Sequence, residues 1–185
     1  MTDVGKSPDR LPGDLTLEDE THRMIRVDQA GEYGAVRIYV GQKAVLGARA
    51  SGQIIDHMAA QEAEHLKKFD ALMNERRVRP TLLSPVWHIA GFAMGAATAL
   101  MGEKAAMACT VAVEEVIDEH YQEQAERLAD DDPDLKALIE ECRADELAHK
   151  EEAEAEGARD APGYPLLSGA IKAASRTAIW LSTRV

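Results

Sequence analysis

The chain has 185 residues, 45% of them hydrophobic and 29% charged, with a formal net charge of −12. The length suits one domain with a sizeable core, and the balance is that of a globular protein rather than a disordered one. The acidic excess argues against a nucleic-acid partner and against a purely electrostatic grip on anionic lipid, but leaves contact through apolar surface open.

Residues 1–16 carry Gly5, Pro8, Pro12 and Gly13 and read as a flexible arm. This stretch has no apolar signal core and no Arg-rich presequence character, so a cytosolic or cytosol-facing location is expected. Cys109 and Cys142 form no CxxC pair and read as free thiols in a reducing compartment. Beyond the arm, Ala, Glu, Leu and Lys dominate and no β-type alternation appears. An all-α fold in one domain over 17–185 is predicted.

A first helix is predicted over about 17–49, with Ile25, Glu32, Val36, Tyr39 and Lys43 on one stripe and Gly31, Gly34, Gly41 and Gly47 permitting close approach of a neighbour. A second is predicted over about 52–77, with Ile55, Met58, Glu62, His65, Leu66, Phe69 and Leu72 inward. Ser84-Pro85 reads as an N-cap and first-turn proline opening a long third helix to about 129, with kinks at Gly91, Gly95 or Gly102. Asp131-Asp132-Pro133 breaks it. A fourth helix follows over about 134–156 and stops near Gly157, and a last helix is predicted over about 166–183. The first and second helices, and the third and fourth, are then antiparallel neighbours, and the extra length of the third does part of the crossing between the pairs.

A pseudo-repeat runs through this order. A lone inward Glu32 on the first helix is followed thirty residues later by Glu62-x-x-His65 on the second. Glu114 on the third, on a stripe with Met107, Val111, Ile117 and Tyr121, is followed thirty-two residues later by Glu146-x-x-His149 on the fourth. At about 100° per residue, positions three apart share a helix face one turn apart, so one carboxylate and one imidazole reach the same ion. Two such helices supply two imidazoles and two bridging carboxylates, and the lone glutamates cap the ions from the other side. Two ferrous ions neutralise four glutamates, which removes the cost of burying them. This is the ligand pattern of ferritin-like four-helix bundles that hold di-iron or di-manganese centres, and mixed carboxylate and imidazole ligands suit iron or manganese. Glu115 is the rival to Glu114, but it faces about 100° away from the stripe. Asp28 and Asp118, four residues from Glu32 and Glu114, are candidates to orient His65 or His149 if they are not simply solvated carboxylates. His57 and His88 have no carboxylate at the required spacing and read as ordinary residues.

The segments RVDQAGEYGAVRIYVGQ (26–42), EAEHLKKFDALM (62–73), RVRPTLLSPVWHIAGFAMGAATALMG (77–102), AMACTVAVEEVIDEHY (106–121) and AIWLSTRV (178–185) closely resemble the demethoxyubiquinone hydroxylase family of ubiquinone biosynthesis. The likeness runs from about residue 20 to the end, and the lack of a presequence suggests a bacterial member. The resemblance implies a ferritin-like bundle with two iron ions that hydroxylates the ring of a demethoxyubiquinol with dioxygen (O2), late in the quinone pathway. It implies Glu32, Glu62, His65, Glu114, Glu146 and His149 as iron ligands, with Glu62 and Glu146 bridging, Glu32 and His65 on one iron, and Glu114 and His149 on the other. It implies NADH as electron source with the quinone as mediator, although the chain has no Gly-rich dinucleotide fingerprint. Tyr121 is then either a redox or substrate-positioning tyrosine or a core tyrosine with a satisfied hydroxyl. His120, in the family's His-Tyr pair, is a candidate for a supporting role rather than ligation.

A substrate with a polyprenyl tail calls for an apolar port. Residues 81–102 carry no formal charge over about the length of a membrane helix, yet Pro85, His88 and many Gly and Ala argue against spanning. An interfacial helix that guides the tail is the preferred reading, with a buried helix wall as alternative. The last helix, with Lys172, Arg176 and Arg184 beside Leu167, Ile171 and Trp180, fits a lipid interface or a packing helix. The expectation is therefore a peripheral protein on the cytoplasmic face of the bacterial inner membrane, with a homodimer or an accessory lipid-binding protein as further partner of that surface. An iron-oxidising or peroxide-scavenging bundle is the rival function. It shares the ligands and has no need of the port.

Overall fold

The structure is a computed structural model that describes residues 14–49 and 51–185. Most of the expected N-terminal arm lies outside the described residues. Among those described are six α-helices and no strand: α1 (Leu17–Leu46), α2 (Gly52–Arg76), α3 (Ser84–Leu100), α4 (Glu103–Leu128), α5 (Pro133–Ala155) and α6 (Tyr164–Ser182), with a single 3-10 turn at Ala158–Asp160.

Local chemistry sets the ends. Thr16 opens α1 with a reciprocal cap, its Oγ1 accepting from the Asp19 amide at 3.1 Å while Asp19 Oδ2 accepts from the Thr16 amide at 3.3 Å. Glu18, Asp19 and Glu20 then place negative charge on the positive end of the helix dipole. Asp132 caps α5, accepting from the Leu135 amide at 3.1 Å, and Pro133 follows it in the first turn. The same carboxylate takes Arg76 Nη2 at 3.0 Å, which ties the end of α2 to the start of α5. Gly157, at φ +83°, stands just past the end of α5 as the sequence suggests.

The long third helix is where the structure departs from the expectation. It is two helices, because Gly102 adopts φ +118°, a conformation L side chains rarely take, and serves as the N-cap of α4. Ser84 is not the cap either. It is the first residue of α3, and its hydroxyl donates to the Thr81 carbonyl at 2.8 Å.

The split defines the topology. α1 and α2 are antiparallel, with Gln29 on Asp70 at 3.0 Å and Lys43 on Asp56 at 2.5 Å. α4 and α5 form the second antiparallel pair, and α2 meets α5 through Lys68 and Glu141 at 3.0 Å. α3 makes the whole crossing by itself, parallel to α1 and outside the four-helix core. Glycines on both helices allow the contact: a Cβ on Gly95 of α3 would stand 1.9 Å from the Ile38 carbonyl oxygen, and one on Gly41 of α1 would stand 2.2 Å from that of Phe92. α6 returns along α4, held by the Lys172–Glu115 ion pair and by Arg176 on Glu119 at 2.8 Å. Those two cations are engaged within the protein, so α6 is a packing helix along that face.

The apolar core has two parts. Ile25, Phe69, Met73, Leu128, Leu135 and Ile139 fill one end of the bundle. Leu46, Ile55, Met58, Met107 and Val111 fill the other. Each large side chain buried this way contributes about 1.5–3 kcal/mol. The polar residues singled out by the sequence lie between these two apolar plugs. No described helix is long and apolar enough to cross a membrane.

Candidate metal centre

Glu32 from α1, Glu62 and His65 from α2, Glu114 from α4, and Glu146 and His149 from α5 converge in mid-bundle, each at most 1% exposed. They form two overlapping groups in which the potential ligand atoms lie within 4.8 Å of one another. One is Glu32, Glu62, His65 and Glu146; the other is Glu62, Glu114, Glu146 and His149. Glu62 and Glu146 are common to both. The spacing argument thus brings together the six residues it named.

The imidazoles are oriented alike. His65 Nδ1 lies 3.5 Å from Glu32 Oε2 and 3.3 Å from Glu146 Oε1, while its Nε2 meets Asp145 Oδ2 at 2.9 Å. His149 Nδ1 lies 3.1 Å from Glu62 Oε1 and 3.3 Å from Glu146 Oε2, while its Nε2 meets Gln61 Oε1 at 3.1 Å. An acceptor on Nε2 holds an N–H there, so that Nδ1 is the nitrogen that would offer its lone pair to a cation in the cluster. The orienting partners are therefore Asp145 and Gln61, not Asp28 or Asp118. Asp118 pairs with Arg143 at 2.6 Å. Asp28 is buried, not solvated, and accepts from Gln124 at 2.8 Å with His120 Nε2 at 3.4 Å. Glu115, paired with Lys172, stands outside the cluster, as its direction on the helix predicts.

Two phenols complete the set. Tyr39 donates to Glu114 Oε1 at 3.1 Å, and Tyr121 donates to Glu32 Oε1. Sequence reasoning placed Tyr39 only on a core stripe. The signal that was there to find is the equal spacing of Glu32 to Tyr39 and Glu114 to Tyr121, seven residues each.

Glu32 Oε2, both Glu62 oxygens, Glu114 Oε2, Glu146 Oε1 and His65 Nδ1 are buried with no hydrogen-bond partner. Polar atoms in a dry core ordinarily find partners, and so many converging on one spot are costly unless a cation sits among them. Burial, then repulsion from Glu146, holds the Glu62 and Glu114 carboxyls well above the usual range. Burial also raises Glu32. Glu146 is the exception: burial pushes it up, but the His149 and His65 imidazoles beside it outweigh this and hold it at about 2. On His65 burial acts downward, but the Glu146 and Glu32 carboxylates close to its Nδ1 raise it to about 10. Divalent cations fit this donor set, because they displace the protons and satisfy the oxygens together.

An apolar cavity of about 160 Å³ adjoins the cluster, enclosed by α1, α3, α4 and α6. Gly31, Gly34, Met94, Ile117 and Ile179 are among its walls, and Tyr121 and His120 line it as well. Its size is comparable to a cavity that accepts one aromatic ring. Tyr121 is the wall shared by the cavity and Glu32. The uncharged segment 81–102 and the last helix meet here, with Trp87 Nε1 on Ser182 Oγ at 2.9 Å.

Residues 19–182 match the family model described as ubiquinone biosynthesis protein COQ7. The chain is 59% identical over 178 residues to a 3-demethoxyubiquinol 3-hydroxylase of Rhodospirillum rubrum, covering 96% of this chain and 84% of that protein. It is 52% identical over 167 residues to the human mitochondrial NADPH-dependent 3-demethoxyubiquinone 3-hydroxylase, covering 88% and 77%. Against the mitochondrial 5-demethoxyubiquinone hydroxylase of Saccharomyces cerevisiae the identity is 39% over 201 residues, covering 97% and 86%. With a buried carboxylate–imidazole cluster beside an apolar cavity and a match over nearly its whole length, the chain belongs to the COQ7 family of demethoxyubiquinone hydroxylases.

Proposed function

We propose that this chain is a quinol monooxygenase that hydroxylates the ring of a 3-demethoxyubiquinol with O2, using two iron ions held by Glu32, Glu62, His65, Glu114, Glu146 and His149. The observation that carries the reading is the cluster of two four-residue groups sharing Glu62 and Glu146, next to a cavity suited to one ring. One oxygen atom enters a ring C–H bond, and the other leaves as water with two electrons and two protons from the donor. Ferrous ions, when bound, supply the electron-rich centre at which O2 is activated.

The protein's own groups do the rest. Glu62 and Glu146, common to both groups, would serve both ions, while Glu32 with His65 and Glu114 with His149 would each hold one. Asp145 and Gln61 fix the imidazole tautomers. Tyr121 holds Glu32 and faces the substrate, which makes it the residue between quinol and metal, and His120 supports that wall through Asp28 and Gln124. The apolar cavity walls exclude water from the reacting ring.

Residues 17–185 act as one unit on the cytoplasmic face of the bacterial inner membrane, in peripheral contact with lipid. The exposed Leu82, Ile89 and Trp180, at 80%, 70% and 54% of their surface, support that contact, and the polyprenyl tail extends toward them. A second copy or an accessory lipid-binding protein is the other partner such a surface suits. NADH is the proposed electron source. The human relative's name specifies NADPH, so both donors belong in the assay.

The test is anaerobic reconstitution with ferrous iron, then a demethoxyubiquinol, NADH or NADPH, and air, with mass spectrometry of the quinone. Hydroxylated product that disappears in Glu62→Ala and Glu146→Ala supports the reading. Iron uptake and oxygen consumption without product would favour an iron-oxidising or peroxide-scavenging bundle instead.

A further inference from the structure

Cys142 lies on α5, one turn before Glu146, and is fully buried. Its thiol, a Glu32 oxygen and a His65 nitrogen all lie within 4.8 Å of one another. Glu32 Oε2 and His65 Nδ1 are buried and have no hydrogen-bond partner. A buried cysteine is ordinarily a small apolar filler. Here one side of the thiol faces two unsatisfied metal-ligating side chains, which is not an apolar environment.

The pseudo-repeat sharpens the point. Cys142 stands four residues before Glu146, and the residue four before Glu62 is Met58. Met58 Sδ lies 3.6 Å from the Tyr39 hydroxyl, whose proton goes to Glu114. Each half of the centre thus has a sulfur at the same position. One is a thioether; the other is a thiol, which becomes a thiolate ligand when a thiophilic cation displaces its proton.

We propose that the Glu32–His65 half is also a thiophilic-metal site, in which Cys142 thiolate, His65 and Glu32 bind Zn2+ or Co2+ in place of iron. Sulfur, nitrogen and oxygen from three side chains form a zinc-type set, and Glu146 is at hand to complete four-coordination. Binding releases the thiol proton to solvent. Zinc there is redox-inert, so occupancy of this half by zinc blocks iron loading. The inference rests on the reading that Glu32 and His65 are metal ligands.

The experiment is titration of the metal-stripped full-length chain with Co2+, followed by optical absorption. Thiolate ligation gives a near-ultraviolet sulfur-to-cobalt charge-transfer band. The band is expected in the wild type and in Cys109→Ser, and is expected to vanish in Cys142→Ser. Zinc affinity in Cys142→Ser falls about tenfold or more, since a direct ligand is worth at least as much as the outer partners of one. Ferrous stoichiometry stays unchanged. Cobalt bound to the wild type without the band, or a band that persists in Cys142→Ser, overturns the proposal while leaving the ligand reading intact. If wild type takes up no cobalt at all, the ligand reading fails and this proposal with it. Should Cys142→Ser not fold, X-ray absorption of the zinc-loaded wild type decides: a sulfur scatterer at about 2.3 Å is expected, and a shell of nitrogen and oxygen alone overturns it.

Discussion

Tyr39 and Tyr121 each donate a hydrogen bond to a glutamate on the other's helix: Tyr39 on α1 reaches Glu114 on α4, and Tyr121 on α4 reaches Glu32 on α1. The exchange locks α1 to α4 across the centre. It is symmetric in sequence and asymmetric in surroundings, because Tyr121 lines the apolar cavity and Tyr39 packs against Met58 and the His149 ring.

That asymmetry separates two variants. Tyr39→Phe and Tyr121→Phe each free one terminal carboxylate and are expected to weaken metal binding by about 10–100-fold. With metal at saturation, Tyr39→Phe keeps the wild-type KM for quinol, and only Tyr121→Phe changes it. Metal analysis after dialysis and steady-state kinetics check both parts. Equal KM effects would sink the assignment of the cavity to substrate.

The metal-free chain is expected to lose stability as pH rises. Glu32, Glu62 and Glu114 bind protons more tightly folded than unfolded. Their contribution is complete below the ordinary carboxylate pKa and is lost as pH climbs through their raised values. His65, raised to about 10, acts in the same direction above its ordinary value. Glu146, held at about 2, has the opposite sign, but its contribution is lost only at strongly acidic pH. The melting temperature therefore falls as pH rises from the ordinary carboxylate range toward about 10, where His65 loses its proton. Bound cations replace the protons and flatten or reverse the slope. Calorimetry of stripped and iron-loaded protein in matched buffers reads this directly.

Gly95→Ala tests the α1–α3 contact. The new Cβ meets the Ile38 backbone, which cannot swing aside as a side chain does. A loss of about 1–3 kcal/mol is expected from overpacking. Unchanged denaturant unfolding would mean that α3 is free to move off α1.

Gly34→Leu has the opposite character. A Cβ there meets nothing within 4 Å, and the residue lines the cavity. The helix itself gains about 0.5–1 kcal/mol from losing a glycine. The leucine fills the space, so quinol hydroxylation drops while iron stoichiometry holds and the melting temperature stays level or rises by a few degrees. Full activity in this variant would move the substrate elsewhere.

The six cluster residues were legible because helical periodicity alone decides which side chains share a face. Glu62 and His65, or Glu146 and His149, need nothing more than their spacing. Asp145 and Gln61 were not legible, because each acts across the α2–α5 interface and the offset between two helices is not written in either one. The break after Leu100 was half legible: Gly102 is visible as a weak point, but nothing local says that it takes φ +118° rather than bending within a helix. The place of α3 outside the core follows from that break, so the long third helix was the natural but mistaken expectation.

The cavity lies between the four-helix core and the outer pair α3 and α6, and neither outer helix carries any of the six cluster residues. Reactivity and selectivity are therefore written on different parts of the chain, joined at Tyr121. On the proposed function, drift in α3 and α6 would retune what is admitted without disturbing the carboxylate–imidazole cluster. An engineer seeking a new guest has a surface to redesign and a core to leave alone.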